Sequence, residues 1–366
     1  MVKWIVLAVV LSFGVAVAAI AYSGASSWGW KRGRVAAGHI PMGILGDSDS
    51  QSYQGRPPLG LSREAAGGRY HASTLQWPEV LARSHGKQLD LGEWAFWGVP
   101  RMLSMARVRD GLGLRWRAPR KEDYRHNLAW PSGCSALHEG PLRQAQRLVD
   151  IMDEDPAAWE RGVVVIRSGV NDIGKQALDA LAVDAEDAGV RGLVDTCLRH
   201  IGQAVAVIRE RHPGVAIVVV GIFNNVHWVP YHDKFQSPQA LANIDTGLDR
   251  FDGGLRAMAR SQSRVVFFDD RAWFARHWGG RDAGGKPAYS TVRLGDGLNV
   301  TNTAGDAPTN AVLANQHAGL VWNTLWAQAL VELLRTELKM PVEAMTNADV
   351  ASFVGVKSNV PTRAAE

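Results

Sequence analysis

Short apolar runs recur along the chain, and such runs are typical of buried strands in an α/β sheet. Five of them stand out, at residues 39–45, 88–96, 162–168, 215–221 and 264–268. Stretches with apolar residues at helical spacing occupy residues 75–84, 141–152, 190–211, 241–261 and 319–338. Because strands alternate with helices and no hairpin dipeptide joins two strands, the pattern predicts a parallel sheet covered by helices on both faces.

The remaining stretches predict loops and the order of domains. Residues 278–311 are rich in Gly, Asn and Thr and predict a long loop, whereas residues 341–366 predict a loose C-terminal tail. We therefore place one α/β domain at residues 38–340. It contains a basic insert at about residues 99–126, which has no clear hydrophobic period.

The N-terminal segment is apolar without interruption. Lys3 precedes a run of 19 residues from Trp4 to Tyr22, and small residues suited to signal cleavage lie near its end. A signal peptide over residues 1–22 is the first interpretation, and an uncleaved N-terminal membrane anchor is the second, since the run is long enough to span a bilayer. Residues 23–37 predict a linker. Both interpretations predict an exported protein, periplasmic or secreted, that contacts a membrane only through this segment.

Charge is concentrated in the basic insert. The formal net charge is +4, yet eight basic residues accompany three acidic ones between Pro100 and Asn127. The stretch Arg101–Arg125 predicts contact with an anionic surface, or else a solvated loop. Nucleic-acid binding is disfavoured because no nucleic-acid module accompanies it. Cys134 and Cys197 could pair in an oxidising compartment, although their spacing does not show it, and two cysteines make no metal framework.

Three polar residues follow predicted strands or precede a helix, where an acyl-transfer site would need them. Ser48 lies in Gly-Asp-Ser after the first strand, and Asn171 lies in Gly-Val-Asn-Asp after a central strand. Both should therefore emerge at the carboxyl edge of the sheet, where open α/β sheets bind ligands. His317 precedes the last helix and could serve as a general base for a Ser48 nucleophile. Asn171 and the main-chain N–H of Ser48 could donate to an oxyanion.

The order of these motifs resembles the SGNH (GDSL) hydrolase family over roughly residues 40–338. Ser48 matches the nucleophile of the family, Asn171 its oxyanion amide and His317 its base. Gly133, in Asn127-Leu-Ala-Trp-Pro-Ser-Gly133, matches its oxyanion glycine, with Gly98 as the alternative. The resemblance implies a flavodoxin-like, three-layer α/β/α fold. It also implies ester hydrolysis through an acyl-enzyme, with neither metal nor cofactor.

One position departs from the family pattern. The family usually has an Asp three residues before the histidine, and here that residue is Ala314. Three substitutes are open: a Ser-His dyad held by a backbone carbonyl, Asn315 as a neutral orienting group, or an acid reaching in from the preceding loop. The acid, Asp306 or Asp296, is weakly preferred. Asp49 also lies beside the nucleophile, where its charge would disfavour an oxyanion unless it faces solvent.

Besides an esterase acting on a small ester or on O-acyl groups of carbohydrate, three alternatives stay open. The same site could transfer the acyl group to a glycan hydroxyl. A protein without an orienting acid could bind polysaccharide without catalysis, and the fourteen Trp residues include some that could stack on sugars, although Trp322 and Trp326 have core spacing. Asp47 and Asp49, with Asp269 and Asp270, could form the magnesium site of a haloacid-dehalogenase-type phosphatase.

Overall fold

The computed structural model describes residues 35–57, 65–98, 119–137, 139–295 and 297–358. The predicted leader, nearly all of the linker, most of the basic insert and Asp296 lie outside these residues. The strands are β1 (Ile40–Gly46), β2 (Leu89–Asp90), β3 (Trp94–Trp97), β4 (Lys121–Tyr124), β5 (Val163–Arg167), β6 (Ala216–Val220), β7 (Val265–Phe268), β8 (Gly279–Arg281), β9 (Pro287–Tyr289), β10 (Thr291–Leu294), β11 (Leu298–Ala304) and β12 (Asn310–Val312). The helices are α1 (Trp77–Ser84), α2 (Pro141–Met152), α3 (Pro156–Trp159), α4 (Leu178–Val183), α5 (Ala188–Arg211), α6 (Pro238–Ser261), α7 (Asp270–Trp278), α8 (Leu320–Thr336) and α9 (Asn347–Ser358).

The main sheet is parallel and has five strands in the order β2-β1-β5-β6-β7. Counted in chain order within this sheet, the strands read 2-1-3-4-5, which is the flavodoxin-like order. Ligands of such sheets bind at the carboxyl edge, at the point where the order of the strands reverses, which here lies between β1 and β5. The predicted flavodoxin-like fold is therefore confirmed.

Helices cover both faces of this sheet, because each strand sends alternate side chains into two separate cores. Met42 and Ile44 of β1 pack with residues of α1, α7 and α8, whereas Leu45 packs with residues of α2, α5 and α6. Trp322 and Trp326 are buried in the first of these cores, as their spacing predicts. The result is the predicted three-layer α/β/α architecture.

Three local predictions are wrong. The second strand ends after Asp90, because Gly92 has a positive φ of 79° and turns the chain into the antiparallel pair β3–β4. Residues 278–311 contain short strands, including the antiparallel pairs β8–β9 and β10–β11. The C-terminal stretch is not loose throughout, since α9 buries Val350 and Val354 against the first core. Within the described residues, no helix combines the length and hydropathy needed to cross a bilayer.

Residues 126–130 extend the sheet beside the second half of β1 and deliver the next loop to its carboxyl edge. Leu128 N donates to Ile44 O at 2.8 Å, and Trp130 N donates to Gly46 O at 3.0 Å. Asn127 fixes this segment through its amide, which donates to Ser50 O at 2.9 Å and accepts from Ala129 N at 3.0 Å. Pro131, Ser132 and Gly133 therefore follow directly at the edge where β1 ends.

Candidate active site

One cleft of about 520 Å³ lies at the carboxyl edge of the sheet. Ser48, Gly133, Asn171 and His317 all line it, although they are spread over the chain from β1 to the loop before α8. The other lining residues are Pro131, Ser132, Lys175, Gln176 and Asn315. The four residues that the sequence singles out thus share one surface, and among the described lining residues Pro131 is the one apolar side chain.

Ser48 lies in a short turn that begins where β1 ends. The Asp47 carboxylate accepts from Asp49 N at 3.0 Å and thereby caps a 3₁₀ turn over Ser48–Ser50. The side-chain amide of Gln144 in α2 accepts from Gly46 N at 2.7 Å and donates to Gly46 O at 2.8 Å. The turn is fixed on both sides, and Ser48 is 6% exposed at the cleft.

The loop of residues 131–135, which we call the Gly133 loop, is held by the acid of the Gly-Val-Asn-Asp motif. The Asp172 carboxylate accepts from Cys134 N at 2.6 Å and from Ser135 Oγ at 2.5 Å. A Cβ at position 133 would lie 2.7 Å from Asp172 Cγ, so only glycine fits this approach without displacing the carboxylate. The glycine of this motif is therefore needed for close packing.

A disulfide adds a covalent tether to the same loop. Cys134 is bonded to Cys197 of α5, with their Cα atoms 5.0 Å apart and a sequence separation of 63. The described part of the chain contains no free cysteine. Since both sulfur atoms are bonded to each other, the nearby group Cys134, Asp172 and Cys197 is not a metal site. The loop next to Gly133 is thus crosslinked to a core helix.

Three of the described residues at the cleft have an N–H hydrogen that is not used in a hydrogen bond. Within the described residues, neither the main-chain N–H of Ser48 nor that of Gly133 donates a hydrogen bond. Asn171 uses one of its two amide hydrogens on Ser132 O at 3.1 Å, which aligns the amide beside the Gly133 loop. Unused donors on rigid elements suit an oxyanion, because they need no rearrangement when charge develops.

His317 approaches the cleft with a defined tautomer. Its Nδ1 lies 3.2 Å from the backbone carbonyl of Asn315 and 3.3 Å from the side-chain Oδ1 of the same residue. A backbone carbonyl can only accept, so Nδ1 carries the proton and Nε2 is free to accept one. No hydrogen bond joins Ser48 Oγ to His317 in this structure, and such contacts commonly tighten only when substrate binds.

The loop that carries His317, residues 313–319, is held by Tyr53 and by Asn323, whose amide donates to Ala318 O and Gly319 O at 3.0 Å each. The Tyr53 hydroxyl donates to Ala318 O at 3.0 Å, and its ring meets the imidazole edge-to-face with centroids 6.5 Å apart. Gln316 has a positive φ of 68°, which is unusual for a residue other than glycine. We call this segment the His317 loop; its bend directs the imidazole back toward Asn315.

The preferred orienting acid has a different partner. Asp306 does fold back toward the His317 loop, as the sequence suggests. Its Oδ1, however, accepts a hydrogen bond from Ala314 N at 3.1 Å. Both contacts of His317 Nδ1 are to Asn315 instead. Asp296 lies outside the described residues. The contacts of His317 therefore match the two neutral substitutes for the missing Asp together: the backbone carbonyl of Asn315 and the amide oxygen of its side chain both lie beside Nδ1.

Burial and neighbouring charges shift the proton affinities at the site. Burial lowers the pKa of His317, Lys175 lowers it further, and Asp49 and the Asn315 carbonyl act in the opposite direction. Burial, followed by repulsion from Asp49, raises the pKa of Asp47 to about 7. The imidazole is therefore biased toward its neutral form, which is the form a general base requires.

The acids of the phosphatase hypothesis are engaged by arginines. Asp270 pairs with Arg167 at 3.2 Å and accepts from Trp326 Nε1 at 3.0 Å. Asp269 caps α7 and pairs with Arg256 at 2.6 Å. Asp270 lines one small pocket with Asp47 and Asp49, but Arg167 lies among them, and within the described residues their carboxylate oxygens do not form a compact group of metal ligands. The described part of the chain therefore offers this alternative no preformed magnesium site at the carboxyl edge.

Two further sequence candidates lie away from the cleft. Gly98 follows β3 in the two-stranded sheet and does not line the cleft. Within Arg101–Arg125, two cations are structural: Lys121 pairs with Asp123 at 2.6 Å, and Arg125 pairs with Glu154 at 2.5 Å. Both side chains are buried, so they do not contribute to an anion-binding surface.

Sequence reasoning missed Lys175, Tyr53 and the structural role of Asp172. A role for Asp172 could have been predicted from the sequence, because it follows Asn171 directly after a predicted strand. Lys175 lies in a π-helical turn, Asp172–Gln176, whose wider spacing changes which side chains face the cleft. Tyr53 contacts residues more than 260 positions away, which no local pattern could indicate.

No protein-family model and no curated protein matches the chain. Among solved structures, similarity is found to a lipase from a goat rumen metagenome, at 12% identity and a TM-score of 0.33. The match covers 68% of this chain and 90% of the lipase. A salicylyl-acyltransferase from a tetracycline biosynthetic pathway matches at 14% identity and a TM-score of 0.34, covering 85% of this chain and 59% of the acyltransferase. These neighbours are an ester hydrolase and an acyltransferase, and the similarity is too weak to assign a function.

Proposed function

We propose that this protein is an exported serine esterase of the SGNH type, acting on short acyl esters such as O-acyl groups on carbohydrate. The observation that carries the proposal is the single cleft lined by Ser48, Gly133, Asn171 and His317, with unused N–H donors on the first three. A hydroxyl, a base and a set of oxyanion donors are the groups that acyl transfer requires.

In the proposed mechanism, His317 Nε2 takes the proton of Ser48 Oγ as that oxygen attacks the ester carbonyl. The carbonyl oxygen becomes an oxyanion stabilised by the N–H groups of Ser48 and Gly133 and by the Asn171 amide. The C–O bond to the alcohol then breaks, and the imidazolium returns its proton to that alcohol. Water repeats the sequence on the acyl-enzyme and releases the carboxylic acid.

The missing Asp is replaced, in this proposal, by the two carbonyl oxygens of Asn315. They fix the tautomer and direction of the imidazole, which an orienting carboxylate also does. They carry no full negative charge, so they stabilise the imidazolium less. We therefore expect a working esterase with a modest kcat.

Two features support the choice of substrate and location. Pro131 is the one apolar side chain among the described residues that line the cleft, so no row of apolar side chains is there to hold a long acyl chain, which favours acetyl over fatty acyl esters. The Cys134–Cys197 disulfide is the kind of bond that persists in oxidising compartments, in agreement with the exported location suggested by the leader.

The test is hydrolysis of 4-nitrophenyl acetate, butyrate and palmitate and of acetylated oligosaccharides by the full chain. We expect turnover that decreases with acyl length and is lost in Ser48→Ala. Added glycan acceptors should not divert the acyl group from water. Acyl transfer to them in excess of hydrolysis would favour the acyltransferase alternative, and absence of Ser48-dependent turnover on all of these esters would contradict the proposal.

A further inference from the structure

Lys175 places a positive charge in the cleft without a negative partner. It is half-buried, and it is the one Lys, Arg, Asp or Glu among the described lining residues. Within the described residues, no carboxylate lies within ion-pairing distance of its Nζ, and the side chain lies near the Trp228 ring, with Nζ 5.8 Å from the centroid. An ammonium held this way keeps its charge available to a ligand in the cleft.

Other lysines of the chain show the contrast. Lys121 is buried against Asp123 at 2.6 Å and Ala129 O at 2.6 Å, and the surface residue Lys234 pairs with Asp179 at 2.7 Å. Among the described lysines, Lys87, Lys286 and Lys339 also lack an ion pair, but all three are exposed to solvent, whereas Lys175 is half-buried. Lys175 has no carboxylate partner among the described residues, even though it lies at the carboxyl edge of the sheet, where ligands bind.

The unpaired charge has a cost for the proposed base. Burial is the main cause that lowers the pKa of His317, and Lys175 lowers it further, so the free enzyme carries a weaker base than it would without this ammonium. An anion bound beside Nζ would neutralise that charge and restore the basicity of the imidazole while the substrate is in place. The arrangement therefore favours a substrate that brings its own negative charge.

We infer that the cleft selects esters that carry an anionic group, a carboxylate or a phosphate, and that Lys175 is the residue that binds this group. The inference rests on the proposed esterase function and narrows its substrate class. The anion belongs to the alcohol or sugar part, since the proposed acyl group is a small neutral one and Lys175 lines the cleft together with the polar Gln176. An acylated acidic carbohydrate has this chemistry.

The test compares three acetyl esters that differ in one substituent of the alcohol. They are the acetates of 3-hydroxybenzamide, 3-hydroxybenzoate and 3-hydroxyphenyl phosphate, measured as kcat/KM with the full chain at low salt. We expect at least one anionic ester to exceed the neutral amide by about tenfold, with the difference shrinking as salt screens the charge. The more favoured of the two anions then identifies carboxylate or phosphate as the recognised group.

Variants assign the preference to Lys175. Lys175→Met should reduce the anionic-to-neutral ratio about tenfold, Lys175→Glu should invert it and Lys175→Arg should largely retain it. Lys234→Met removes a lysine that is paired at the surface and should leave the ratio unchanged. A ratio unaffected by Lys175→Met, or an equal loss on all three esters, would overturn the inference while leaving the esterase proposal standing. Absence of Ser48-dependent turnover on all three would overturn both.

Discussion

The Gly133 loop and the His317 loop line the same cleft, yet the contacts that hold them differ in kind. The Gly133 loop has a disulfide to α5 and donates charge-assisted hydrogen bonds to the Asp172 carboxylate. The His317 loop has one bond to a carboxylate, from Ala314 N to Asp306, but the imidazole itself is held by a backbone carbonyl and an amide oxygen, both neutral. Charge-assisted bonds are roughly twice as strong as neutral ones, so the disulfide and the Asp172 bonds fix the groups beside Gly133 more firmly than Asn315 fixes the imidazole.

This difference indicates how the proposed esterase could work without an acid beside its base. Preorganised oxyanion donors are commonly the largest single contribution to acyl-transfer catalysis. A base held by neutral oxygens can then still contribute, at a lower rate. The comparison predicts that damage to the Gly133 loop costs more than damage to the contacts of His317, provided that the reacting groups themselves are intact.

The largest effects should come from the reacting groups. Ser48→Ala and His317→Ala should each lower kcat by about 10⁴-fold or more, and the double variant should be no worse than either, because the two act as one unit. Steady-state kinetics on the best ester measures this. Ser50→Ala changes a buried serine of the same turn and should retain most activity; additive losses in the double variant would contradict a shared step.

Removal of the disulfide should be the next largest effect. The double variant Cys134→Ala, Cys197→Ala should lose about 2–4 kcal/mol of unfolding free energy, because the bond closes a loop of 63 residues in the unfolded chain. Urea unfolding of this variant, and of the wild type under reductant, measures the loss. Tyr53→Phe, the matched change at the His317 loop, should cost about 1 kcal/mol. Equal losses would remove the contrast between the two loops.

Asp172→Asn tests the same loop without changing its covalent bonds. The variant keeps the shape of the side chain but loses the charge that holds Cys134 N and Ser135 Oγ, so Gly133 N should be less well placed. We expect kcat to fall about 10- to 100-fold with KM changed less, because the oxyanion forms only in the transition state. A rise in KM with kcat intact would instead assign Asp172 to substrate binding.

The smallest predicted effect is a shift in the pH dependence of kcat/KM. Because burial lowers the pKa of His317, the acid limb of kcat/KM should fall below the ordinary histidine value of about 6.5, and activity should persist to lower pH. Asn315→Asp places a carboxylate beside Nδ1, stabilises the imidazolium and should move this limb upward by about one pH unit. Asp306→Asn, whose carboxylate bonds Ala314 N, is the control and should not move it.

The sequence predicts the fold well because the fold follows from local periodicity. The runs at 39–45, 162–168, 215–221 and 264–268 each become a strand of the main sheet, and their order along the chain leads to the flavodoxin-like arrangement. Ser48 and Asn171 could be proposed for the same reason. A residue that follows a parallel strand must emerge at the carboxyl edge.

The rest of the site depends on long-range contacts and on backbone angles that the pattern does not encode. The partner of His317 is decided by a positive φ at Gln316, a conformation that sequence alone would assign to glycine. The position of Lys175 depends on a π-helical turn, which shifts its direction relative to an ordinary helix. Asp306 is weakly preferred from the sequence because its loop could fold back, and the loop does so. The Asp306 carboxylate, however, accepts its hydrogen bond from the Ala314 N–H and not from His317.

The central claim is that Ser48 is a nucleophile activated by His317, and covalent labelling tests it most directly. The folded protein would be incubated with a fluorophosphonate probe, digested, and the labelled peptide identified by mass spectrometry. We predict labelling at Ser48 in the wild type, strongly reduced labelling in His317→Ala, and none in Ser48→Ala. Labelling at a different residue, or no labelling of folded wild-type protein, would contradict the account.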